Sequence, residues 1–220
     1  FCGFLAEYQL EHKIERDREK DYMQGMINDL SEDTVSINEV FAFVKLVSKG
    51  LDSLKQNLYN TNTADENANA IYQQYGAYLR RFGVRVSDQT TTQLRNSGQL
   101  RLVRKKEVTN KISGYWKITG QLEAIQGRIE SDMDEISSLG DNIINGKFLG
   151  AYSERDSLTG LRVIEVLPEA ELMTSDKNTL ISLGNKISRL KRRIDNFYLN
   201  NLSFMKRFAI NLIELIKKEY

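Results

Sequence analysis

Basic side chains crowd one stretch of this sequence. Between Leu79 and Lys117 it holds ten Lys and Arg residues against Asp88 and Glu107, a local charge of +8. Guanidinium and ammonium groups at that density can hold an anionic group on a lipid headgroup, a cell-wall polymer or a nucleic acid. The candidate anion-binding residues are Arg80, Arg81, Arg85, Arg95, Arg101, Arg104, Lys105 and Lys106. Tyr72, Tyr75, Tyr78, Phe82, Tyr115 and Trp116 interleave with them. Aromatics between cations can stack on bases or sugars, but at helical spacing they more often serve as core.

The remaining charge is segregated too. Lys186 to Lys218 carries nine bases and two acids, while Gln121 to Glu171 carries eleven acids and four bases. The net charge of +1 is therefore a cancellation between blocks. Internal neutralisation competes with ligand binding. If the second and third long helices pair antiparallel about residue 161, Glu130, Asp134 and Glu135 lie level with Arg189, Lys191, Arg192 and Arg193. That pairing leaves the Arg80–Lys117 cluster without an obligatory acidic partner.

Other chemistry is sparse. One Cys and one His exclude a disulfide scaffold and a metal site built from several such residues. Cys2 with His12 is the sole Cys–His pair, and His12 sits among Glu11, Lys13 and Glu15 as a solvated helix residue. No phosphate-cradling glycine loop, zinc-protease pair or nucleophile elbow occurs. Carboxylate pairs such as Asp132 with Glu135 read as helix-surface acids. No catalysis and no cofactor are expected.

Long helices must position these side chains. A single proline, Pro168, stands in 220 residues, where average usage gives about eleven. Apolar residues recur at three and four from Glu11 to Tyr59, through Met23, Ile27, Leu30, Ile37, Phe41, Val44, Leu51 and Leu58. A second period runs from Val108 to Ile143 toward a stop at Gly146. A third joins Leu180, Leu183, Ile187, Leu190, Ile194, Phe197, Phe204, Phe208, Leu212 and Leu215, with Asn201 in the seam and Ser175 as N-cap. The expected fold is all-α, an elongated antiparallel bundle of three long helices over about 11–59, 104–146 and 176–218. A short helical insertion covers about 67–97, in which Gly83 stops one helix and Ser97-Gly98 another. Leu161 to Leu167 can form a strand but has no evident partner. Residues 11–220 are expected to form one domain.

The first residues, Phe1-Cys2-Gly3-Phe4-Leu5-Ala6, are apolar and pass at once into charge. They read as the end of a truncated membrane helix occupying residues 1–10, with Tyr8 at the interface. Charged helix 11–30, the segment Thr92-Gln-Leu94-Arg-Asn-Ser97-Gly98-Gln-Leu100-Arg101-Leu102-Val103, the following Val108 to Trp116 and the amphipathic end Leu212–Tyr220 carry a likeness. Together they resemble an uncharacterised family of small single-pass inner-membrane proteins of Bacteroidota. The resemblance implies an N-terminal membrane helix before a helical body, and a body in the periplasm. It implies no activity.

The expectation is thus a non-catalytic, membrane-anchored helical interaction or scaffolding module that forms a homo-oligomer, with no nucleic-acid partner. The alternative is a binding module for an anionic ligand through Arg80–Lys117.

Overall fold

Apolar residues at helical spacing form helices, and the polar break at Asn60–Asn67 interrupts them. The computed structural model describes residues 2–96, 98–153, 156, 159–161 and 163–220. About three quarters of the chain is helical, so the all-α class is found. The helices are α1 (Cys2–Tyr59), α2 (Ala68–Tyr78), α3 (Gln89–Asn96), α4 (Lys106–Gly140), α5 (Lys177–Arg193) and α6 (Leu199–Glu219). A π-helical turn, Ile194–Tyr198, joins the last two, and short 3-10 turns lie at Gln99–Leu102 and Gly146–Phe148.

The chain divides into two compact units. The first comprises Phe1–Asn38, Val84–Gln121 and Leu202–Tyr220. Here three acids on one side of α1 are buried, Glu19, Asp29 and Asp33. Each accepts a backbone N–H from the segment that connects α2 to α4. Arg104 N donates to Glu19 at 2.7 Å, Thr90 N to Asp29 at 2.8 Å and Ser87 N to Asp33 at 2.6 Å. The segment is thereby strapped antiparallel along α1. Ser87 and Arg104 lie outside its helices and Thr90 lies in the first turn of α3, so none of these amides has a partner within a helix, and unpaired buried amides are costly. Gly25 lets the strap approach, since an added Cβ would lie 2.7 Å from Thr90 Oγ1. Gly98 takes φ +63, the left-handed conformation that ends α3 and that glycine enters without strain. Ser97 lies outside the described residues.

The second unit comprises Glu39–Gly83 and Leu122–Asn201. Four helical segments pack within it. The α1 portion runs antiparallel to α5, as Ser48 pairs with Asp195 and Asp52 with Lys191. It also runs antiparallel to α2, whose Tyr78 ring occupies the space a Cβ at Gly50 would take, while Gln74 bonds Asn57. α4 ends at Gly140, where the Tyr75 side chain of α2 leaves no room for a Cβ. That is six residues short of the Gly146 stop the sequence suggests. Tyr72 pins the irregular 141–172 stretch: its hydroxyl donates to Glu171 O and accepts from Asn145 N, each at 2.8 Å.

The strand at Leu161–Leu167 has a partner after all. Strand β1 (Leu149–Tyr152) pairs antiparallel with β2 (Ile164–Val166), with a register shift between Leu149 and Tyr152. Ile164 is buried and seats against Gly76 of α2. At the start of α5 the N-cap is Asp176 rather than Ser175. Asp176 accepts from Thr179 N at 2.8 Å, and Ser175 donates instead to Asp65.

The largest departure lies in the third helical period. In the π turn, Leu199 N donates to Ile194 O, one residue further back than in an α-helix. One extra residue per turn delays everything after it by about 100°. The buried line therefore runs Leu190, Ile194, Tyr198, Leu202, Met205, Ala209, Leu212 and Ile216. Phe197 and Phe204, expected in the core, are 57% and 47% exposed. Asn201 leaves the seam as well; it and Asn200 donate to the carbonyls of Phe197 and Asn196 at the turn.

The membrane reading is corrected. Spanning a bilayer takes about 20 predominantly apolar residues, and among the described residues no helix is long and apolar enough. The apolar start continues within α1 into a charged stretch where Glu7, Tyr8, Gln9 and Leu10 are all exposed. The transmembrane helix, the membrane anchor and the inner-membrane location with a periplasmic body therefore lack the element they require.

Candidate binding cavity

The eight candidate cations do not form one patch. Arg85, Arg95, Arg101, Arg104, Lys105 and Lys106 belong to the first unit, and Arg80 and Arg81 to the second. In the first unit much of the charge is matched internally. Arg104 contacts Glu15 and Glu19 at 3.9 and 3.6 Å, and Lys105 bonds Glu219 at 2.8 Å. Arg95 lies over the Trp116 ring at 5.5 Å. Arg85 is exposed and uses its backbone N–H on Ser36; Arg101 and Lys106 are exposed. The interleaved aromatics serve the core: Tyr72 and Tyr115 are buried, and Trp116 donates its indole N–H to Thr91.

Neutralisation between α4 and α5 takes place in the second unit, with a changed cast. Arg193 Nε donates to Asp132 at 2.6 Å and Arg189 reaches the same carboxylate at 3.3 Å. Glu135 receives Lys186 at 2.8 Å and Arg189 at 2.6 Å, and those hydrogen bonds hold its pKa below the usual carboxylate value. Asp134 turns to Arg81. Lys191 turns to Asp52 of α1 and Asp195 of the π turn.

Arg80 lies against a cavity of about 700 Å³ wholly inside the second unit. Three sections of chain build it. Val40, Phe43 and Leu46, three residues apart on α1, form an apolar wall, with Glu39 and Ala42 beside them. α2 stops at Tyr78, and the extended chain beyond carries Arg80, Arg81, Phe82 and Gly83 along the cavity. Phe82 is buried, its ring edge-on to Tyr198 and its carbonyl accepting from Gln126. The third section is a turn in which Asp156 Oδ1 accepts from Thr159 N at 2.6 Å and Thr159 Oγ1 at 2.7 Å. Gly160 closes that turn at φ +70.

The two arginines differ in their surroundings. Arg81 pairs with Asp134 at 3.0 Å, and both side chains are about two thirds exposed, so the pair contributes little. The Arg80 guanidinium lies 5.8 Å from the Tyr152 ring centre. Its Nη1 is buried and has no hydrogen-bond partner among the described residues. A buried donor left unmade costs about 1–3 kcal/mol, a cost an acceptor arriving from outside would remove. Sequence reasoning identified Arg80 and Arg81 but missed the wall of α1 and the 156–160 turn. Those residues carry no motif and converge only through packing.

Among the described residues, no group of three or more His, Cys, Asp or Glu side chains is placed to hold a metal ion. Compared with known proteins, the chain matches no family model, no curated sequence and no solved structure.

Proposed function

We propose that the chain is a non-catalytic helical binding module whose site for an anionic group is the Arg80 cavity. The observation carrying this reading is the buried, unpartnered Nη1 of Arg80 beside an apolar wall. Binding sites for small molecules combine such a cavity with a few placed polar groups. A guanidinium is the side chain best suited to hold an oxyanion through a planar fork of donors. The test is a fluorescence titration with 8-anilinonaphthalene-1-sulfonate. One saturable site should appear in the native chain, weaken as chloride is added and weaken further in Arg80→Gln. Equal binding by native and variant chains rejects the reading.

A second reading is an interaction or scaffolding module that self-associates. Phe197 and Phe204, exposed by the π turn, favour it. Sedimentation should then show a concentration-dependent oligomer that Phe197→Ser weakens; a monomer at all concentrations rejects it.

A further inference from the structure

We infer that the cavity takes a small organic monoanion with an extended apolar body, a medium-chain carboxylate being the simplest. This rests on the anion-binding reading above and deepens it.

Lining charges set the ligand's valence. Among the described residues Arg80 is the lining cation without a paired acid, since Arg81 is matched by Asp134. Glu39 and Asp156 also line the cavity. Direct contact with the guanidinium favours one negative charge on a ligand, while the two carboxylates oppose any further charge held away from it. Polyphosphate, nucleic acid and anionic polymers are disfavoured by the same carboxylates.

The apolar wall sets the ligand's body. Val40, Phe43 and Leu46 offer a continuous aliphatic and aromatic surface. Each methylene buried on it raises affinity about fourfold. The head group follows from Arg80. Its planar fork of donors matches a carboxylate, which can accept two parallel hydrogen bonds.

Calorimetric titration of the full chain tests this with octanoate, hexanoate, 1-octanol and tripolyphosphate. Octanoate should bind about tenfold or more tightly than hexanoate, from two methylenes, and than 1-octanol, from the charge. R80Q should reduce octanoate to the level of 1-octanol while leaving 1-octanol unchanged, a readout that needs the variant only to melt like the native chain. The comparison of octanoate with hexanoate needs no variant. Equal affinities for the two acids overturn the assignment of an apolar body. Tripolyphosphate binding more tightly than octanoate overturns the monoanion. If sulfonate-probe binding is lost in R80Q while octanoate does not bind, the ligand class fails and the anion site stands. If R80Q alters neither, both fail.

Discussion

Tyr115 of α4 donates its hydroxyl to Asp33 of α1 at 2.6 Å, across 82 residues of sequence and in the interior of the first unit. Asp33 also receives Ser87 N, so one carboxylate ties α1 to α4 and to the strap. Burial, with help from the neighbouring Asp29 and Glu32 charges, raises the Asp33 pKa from 3.8 to about 6, against the lowering effect of its two donors. The same burial and the Asp33 charge push the Tyr115 hydroxyl far above its ordinary value, so it remains a donor at every working pH.

Removing the Tyr115 hydroxyl strands that carboxylate with one donor fewer. Tyr115→Phe should destabilise the protein by about 2 kcal/mol, read as a shift in the urea midpoint at pH 7. A change below 0.5 kcal/mol would show that water replaces the hydroxyl at no cost.

The pH dependence has a definite sign. Asp33 binds its proton more tightly folded than unfolded, so its favourable contribution is complete below about pH 4. It is lost as pH rises through about 6. Native stability should therefore fall between pH 4 and 6 relative to Asp33→Asn, in which that slope is absent. Parallel stability curves for the two proteins would contradict the shift.

Gly50 sits where the Tyr78 ring crosses α1. Alanine is the better helix former by about 1 kcal/mol, yet its Cβ would overlap the ring. Gly50→Ala should lower stability by about 1–3 kcal/mol, and Gly50→Ala with Tyr78→Ala should recover part of it. A gain in melting temperature from the single change would show that the ring moves freely.

At Gly98 nothing approaches a Cβ, so only the left-handed backbone matters there. Gly98→Val should cost more than about 1 kcal/mol and Gly98→Asn less, because asparagine tolerates that conformation. Equal melting temperatures for the two variants would reject a conformational origin.

Much of the fold was legible because helical spacing is a local signal. The periods that produced α1, α4 and α5 can be counted directly, and Gly98 as a left-handed stop follows from its place after α3. The seam beyond Ile194 was not legible. Continuing the spacing selects Phe197 and Phe204, and only the extra residue of the π turn brings Tyr198 and Leu202 inward. Buried acids were equally hidden, since Asp29 and Asp33 look like ordinary helix-surface charges until a distant segment brings them amide donors. Of the cavity, the sequence exposed the arginines by type. It could not show that Phe43, Asp156 and Arg80, far apart along the chain, face one space.

The strap between α2 and α4 is recognised by α1 through its peptide groups. Glu19, Asp29 and Asp33 read the N–H of Arg104, Thr90 and Ser87, whatever side chains those residues carry. These three bonds therefore place one common demand on residues 87, 90 and 104, a backbone N–H. An imino acid at any of the three would erase the backbone donor to a buried carboxylate. The scarcity of proline, first a sign of long helices, is also a requirement of the strap at these three positions.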